Sequence, residues 1–231
     1  MNQTAHKSPA EHSVEVSGCA AADDMRFRQL LGAPAWAQLP AAVRRRFGKR
    51  LGPGQSVTYA GHVLACQATF SGWLLAQCCR LIGAPLPLER GAGGAAVVSV
   101  TEDGVSGGQH WTRIYARRRG FPQAIHSAKR FAGPTGLEEY LGAGFGIALR
   151  VEPLADGVRF ASDHYFWAFA GIRLRLPRWL APGRLTIDHC AVGDNAFTFT
   201  LTLRHRVLGQ VLRQHSLFQD QTVPTEEPRH D

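Results

Sequence analysis

Residues 195–206 read Asn-Ala-Phe-Thr-Phe-Thr-Leu-Thr-Leu-Arg-His-Arg, and within them Phe197, Phe199, Leu201 and Leu203 alternate strictly with Thr198, Thr200, Thr202 and Arg204. A period of two places the apolar set on one face of a sheet and the polar set on the other. The pattern is that of an antiparallel β architecture. It names no reaction.

The same reading extends from Ala95 to Phe218. Candidate strands are Ala95–Glu102, Gln109–Arg117, Gln123–Phe131, Gly136–Val151, Val158–Tyr165, Trp167–Leu176, Arg184–Ala191, Phe197–Arg206 and Val211–Phe218, with Val57–Leu64 before them. Short turn segments such as Asp103-Gly104, Gly133-Pro134 and Asp156-Gly157 separate them, so neighbours are expected to join as hairpins in a meander. Gly142, Gly144 and Gly146 interrupt the longest candidate and predict a coil or sharp bend at a barrel corner. Eight or more antiparallel strands favour closure, because closure removes exposed edges. Ahead of them lie two short helices, one capped by Asp23 or Asp24 and carrying Phe27, Leu30 and Leu31, the other carrying Leu39, Val43 and Phe47. A more apolar helix is predicted over Phe70–Ile82, either buried or lying across the mouth of a pocket. The expected fold is therefore α+β and mainly β: an antiparallel meander closing into a calycin-like barrel or a strongly curved sheet, with N-terminal helices packed on it or capping it. Residues 1–22 read as a flexible leader, 23–220 as one domain and 221–231 as a polar tail.

Composition narrows the class without naming a function. The chain has 231 residues, 45% of them hydrophobic, with a formal charge of +8. Its arginines are spread out, and neither Arg44-Arg45-Arg46 nor Arg117-Arg118-Arg119 sits in a nucleic-acid motif, so no specific nucleic-acid binding is expected. Five cysteines, with no metal-ligand spacing, fit buried free thiols in a reducing cytoplasm. The longest apolar region, Phe70 to Leu88, is broken by Gln77, Arg80, Pro85 and Pro87, so the chain is expected not to span a membrane. No motif calls for a cofactor or a metal.

The candidate site comes from strand parity. Trp111, Arg113 and Tyr115 share one face of a strand, and such an aromatic and arginine ladder can line a pocket for a planar or anionic ligand, or can cover an outer wall. Glu138 and Glu139 must point to opposite sides of their strand, so one faces inward, where Arg113 is the expected partner. His164, Tyr165 and Trp167 form the densest polar-aromatic cluster. Asp163 precedes His164, but neighbours along a regular strand face opposite ways and are expected not to pair. Asp188 and His189 carry the same objection.

Trp111-Thr-Arg113, the run Leu137-Glu-Glu-Tyr-Leu-Gly-Ala-Gly-Phe-Gly, the run Leu174-Arg-Leu-Pro-Arg-Trp-Leu-Ala-Pro-Gly183 and Leu208-Gly-Gln-Val-Leu together resemble a bacterial family, domain of unknown function 4166, over roughly Phe27 to Asp220. The chain departs from that pattern at His205-Arg206, where His-Pro is expected. Members of that family stand alone or follow saccharopine-dehydrogenase-like modules. The resemblance therefore implies a possible NAD(P)-dependent redox partner and no catalytic residues. Three functions follow as expectations: a barrel binding a hydrophobic or acidic small molecule or lipid; an enzyme acting on a hydrophobic or acyl substrate through residues such as Arg113, Glu139 and His164; and an interaction domain supporting a redox partner.

Overall fold

The computed structural model describes residues 24–52 and 55–220. The expected leader and tail lie outside the described residues, as do Asp23 and Cys19. Eleven strands follow one another: β1 (Ser56–Ala68), β2 (Ala95–Asp103), β3 (Gly108–Tyr115), β4 (Gln123–Arg130), β5 (Leu137–Gly142), β6 (Phe145–Pro153), β7 (Gly157–Phe169), β8 (Ile172–Arg175), β9 (Arg184–Val192), β10 (Ala196–His205) and β11 (Gly209–Asp220). Each pairs antiparallel with the next except that β9 pairs with β7 and not with β8, and β1 pairs with β11 to close the ring. The result is a closed ring of ten strands, with β8 hydrogen-bonded to the outer half of β7. The strongly curved open sheet, the other arrangement the sequence allowed, is not formed.

Two hairpins were finer than the sequence pattern. Residues 136–151, read as one bent strand, are β5 and β6 joined at Ala143-Gly144, and β7 runs through to Phe169 before turning at Ala170-Gly171 into β8. Both two-residue loops have positive φ at both positions, 47° and 79° in the first and 49° and 79° in the second. That is the twist which matches a hairpin's strands, and glycine supplies it at the second position without strain.

A meander sends alternate turns to opposite ends of the barrel. One end is plugged by three short helices, α1 (Arg26–Leu31), α2 (Ala33–Gln38) and α3 (Ala41–Phe47). The N-cap of α1 is Met25, with no side-chain cap hydrogen bond; Asp24, one residue earlier, accepts the Arg26 N–H at 3.0 Å and pairs with the Arg26 side chain, so the expected capping by Asp24 is not formed. The sequence reading missed α2, which starts after Gly32 with Pro34 in its first turn, where proline costs no hydrogen bond. Phe27 drives into the barrel against Phe47 and Phe131, both at 5.1 Å between ring centres, and against Phe160 at 6.0 Å. At the other end α4 (Phe70–Cys78) and a 3-10 turn (Cys79–Ile82) lie across the mouth. The Thr69 side chain caps α4 by accepting the Gly72 N–H. Gly72 rests on the Val211 carbonyl of β11 so closely that any Cβ would collide with it. No described helix is long and apolar enough to cross a membrane.

The period-two strand behaves as read. Phe197, Phe199, Leu201 and Leu203 are all buried, while Thr198, Thr200 and Thr202 are only half-buried. Phe199→Ala is therefore expected to lower unfolding stability by about 3–5 kcal/mol, while Thr202→Ala costs under about 1 kcal/mol, in urea titrations of the two variants. Equal losses would mean that the two faces are not distinct.

Candidate functional site

The barrel interior is layered. Nearest the plugged end is an aromatic floor around His189, whose ring lies 5.2–6.1 Å from those of Phe47, Trp111, Phe160, Phe197 and Phe199. Above it sits a cluster of buried charges, and above that an apolar cavity of about 340 Å³. That volume is at the small end of the range for ligand pockets. Leu185, Ile187, Leu201 and Leu203 line its walls, and Leu75, Cys79 and Ile82 line it from the mouth. Among the described residues, Arg113 and Glu139 are the only charged ones on its lining.

Strand register builds the charge cluster. Lys129 of β4 faces Glu139 of β5 directly. On β3 the inward set is Trp111, Arg113 and Tyr115, all buried. Glu139 Oε1 accepts from Arg113 Nη2 at 2.9 Å and from the Ser127 hydroxyl at 2.7 Å, and Oε2 lies 3.3 Å from Lys129 Nζ. Lys129 Nζ also stands 4.3 Å over the Trp111 ring, a cation–π contact. Burial alone would raise the Glu139 carboxyl, but Lys129, Arg113 and Ser127 outweigh it and hold it at about 2. Lys129 is lowered, chiefly by burial and partly by Arg113, with Glu139 opposing. Two buried cations thus share one buried carboxylate. Arg113 Nε is buried with no acceptor among the described residues.

The expected site residues divide among several places. Arg113, Glu139 and Tyr165 meet at the cavity, and burial raises the Tyr165 phenol strongly. Trp111 faces inward but belongs to the floor, its indole N–H donating to Gln109. Tyr115, raised to about 12 by burial, lines a separate cleft beside Cys66 and Gly91. Trp167 is on the inward side at the rim, donating to the Ala143 carbonyl and stacked on Phe169. Glu138 faces the outer wall, as alternation requires, yet is just as buried as Glu139. It pairs with Arg173 of β8 and accepts the Tyr140 hydroxyl, beneath a small outer cluster in which Arg173 lies over the Phe166 ring.

His164 is also on the outer wall, hydrogen-bonded to Asp163 at 2.7 Å. That pairing corrects the expectation that the two would face apart. Ala148 pairs with His164 and Leu149 with Ser162, so Asp163 is the extra residue of a β-bulge and strand alternation fails there. The bulge also separates His164 from Arg113 and Glu139, so the acid–base set suggested by sequence is not assembled. Asp188 and His189 do face opposite ways: Asp188 pairs with Arg159 outside, and His189 is buried in the floor. Lys129 was missed. Its signal was the alternation Gln123, Ile125, Ser127, Lys129 on one side of β4, obscured because both sides of that strand carry polar residues. Cys66, Cys79 and Cys190 are free thiols raised to about 11, chiefly by burial, whereas Cys78, expected to be buried, is exposed. No group of three His, Cys, Asp or Glu among the described residues is placed to hold a metal ion.

The shared carboxylate makes the cluster asymmetric to mutation. Glu139→Gln leaves two buried cations together and is expected to cost about 3–5 kcal/mol, whereas Arg113→Met leaves a neutral Lys129–Glu139 pair and costs clearly less. Chemical denaturation of the two variants checks this, and the reverse order would refute the shared arrangement.

His189 generates a pH prediction. Burial first, then Lys129, Arg46 and Arg113, push its pKa well below 6.5. The unfolded chain takes up a proton below about pH 6.5 while the native ring stays neutral, so stability is unaffected above that pH and falls below it, by up to ~1.4 kcal/mol per pH unit. His189→Phe should flatten the decline between about pH 6.5 and 5 in urea titrations. An unchanged slope would remove His189 as its source.

Comparisons with curated proteins and with solved structures find no match. A family model does match, over residues 39–218, which takes in all the strands but the last two residues of β11 and every member of the charge cluster. The chain belongs to the family described as domain of unknown function (DUF4166).

Proposed function

We propose that this protein binds a small amphiphile, with its apolar body in the cavity and an anionic head at Arg113. The observation that carries this reading is the charge imbalance in the barrel: Arg113 and Lys129 against Glu139 alone, all buried. An uncompensated buried positive charge is costly, and an entering anion offsets that cost while finding donors already in place. Arg113 is the cation that reaches the cavity lining, and its Nε has a hydrogen to give. The remaining lining is almost wholly aliphatic and aromatic, which suits a hydrocarbon body. Free, unpaired cysteines support a reducing, cytoplasmic setting.

Native mass spectrometry of the purified protein, followed by calorimetric titration with a long-chain carboxylate and the alcohol of equal length, tests the reading. The carboxylate should bind about tenfold or more tighter than the alcohol, the worth of a hydrogen bond to a charged group. Arg113→Met should erase the difference while the protein stays folded. Equal affinities, or no binding of either, would overturn the proposal.

A further inference from the structure

We propose that the open end of the barrel docks on an anionic lipid bilayer. This surface goes beyond the cavity and does not depend on what the cavity holds.

Topology gathers five segments at the end opposite the plug: 69–94, the 116–122 turn, the 142–144 turn, 167–183 and the 204–209 turn. Eleven of the sixteen exposed large apolar side chains among the described residues fall in these segments. Leu81, Phe121, Trp179 and Val207 are each more than four-fifths exposed, and each comes from a different segment. A monomeric soluble protein rarely gathers so much exposed apolar surface at one end without a use for it.

The β7–β8 hairpin adds geometry to this composition. Ile147 and Tyr165 line the cavity and pair with each other, as do Phe145 and Trp167 two residues further along. Trp167 pairs with Leu174, and Phe169 with Ile172. Cross-strand partners share a face, so Phe169, Ile172 and Leu174 continue the inner wall of the barrel beyond its rim, where they stand exposed. An apolar tongue leading out of the cavity suits contact with a hydrocarbon phase.

Charge selects the occupant. The same segments contain ten arginines and a single carboxylate, Glu89, out of twelve Asp and Glu among the described residues. Arg173 and Arg175 pair with Glu138 and Asp163 on the barrel wall, and Arg117 and Arg118 flank Glu89. Arg80, Arg119, Arg178 and Arg206 are exposed and make no ion pair with a described residue. Exposed apolar residues interspersed with unpaired arginines match the two layers of an anionic membrane surface, acyl boundary and headgroup charge. The plugged end is also basic, with Arg44, Arg45 and Arg46 beside Arg26, Lys49 and Arg50, but there the basic residues are interspersed with Asp24, Glu102, Asp103, Asp194 and Asp220.

The 231-residue chain is tested by co-sedimentation with vesicles of equal parts phosphatidylglycerol and phosphatidylcholine, and with phosphatidylcholine alone. Binding is expected to the first and to be lost at high salt, with little binding to the second. The pair Leu81→Ser with Trp179→Ser, and separately the pair Arg119→Gln with Arg178→Gln, should each weaken binding roughly tenfold or more. A plugged-end pair, Arg44→Gln with Val105→Ser, should not change it. Arg113→Met should still sediment with vesicles, and the rim variants should still take up a soluble amphiphile, so failure of the docking surface and failure of the cavity reading are distinguishable. No binding to the anionic vesicles, or equal loss from the plugged-end pair, overturns the proposal. So does self-association or oligonucleotide binding through the rim in the absence of vesicle binding.

Discussion

Closure of the meander by the pairing of its first and last strands, β1 and β11, is the constraint on which the rest depends. Once the ring is shut, every strand has an inside, and any polar residue at an inward position must find a partner there or pay for its desolvation. Ten strands enclose more space than their own side chains fill. Phe27 and Phe47 of the plug, packed on Phe160 and His189 of the wall, fill one half, and the other half is left as a cavity. Arg113, Lys129 and Glu139 lie where the two halves meet, so the charge imbalance stands at the edge of the cavity and not within a dry core.

The same closure explains the rim. β7 is longer than the ring requires, and its outer half pairs with β8 in place of β9. The hairpin so formed carries the inner face past the mouth, while its outer face is fixed by Arg173 over Phe166 and Glu138. The second buried glutamate is thereby accounted for: it holds the hairpin to the wall, and Glu139 works inside. Adjacent residues of identical type serve opposite sides of one sheet, which is the alternation of a strand applied to charge.

Much of this was legible in the sequence where one face of a strand is apolar and the other polar. Phe197 to Leu203 gave a burial pattern with no ambiguity, and Trp111, Arg113 and Tyr115 do share the inner face. Sharing a face was not enough to share a site, because the barrel is deep: Trp111 lies in the floor and Tyr115 beside another cleft. Lys129 stayed hidden because β4 is polar on both sides, so its period points neither way. Asp163 misled because a bulge is a property of two paired strands, and one strand's residues do not encode it. The open rim could be read only after topology had placed five separated segments at one end.

The most direct test of the central claim is the ionisation of a bound head group. A long-chain carboxylate labelled with carbon-13 at its carboxyl carbon is loaded into the protein, and its chemical shift is followed from about pH 8 down to 5. Burial by itself would raise the carboxyl above its ordinary value near 4–4.5, whereas excess buried positive charge holds it ionised. The account predicts a flat shift across the whole range. A titration midpoint within that range, above the ordinary value, would contradict it.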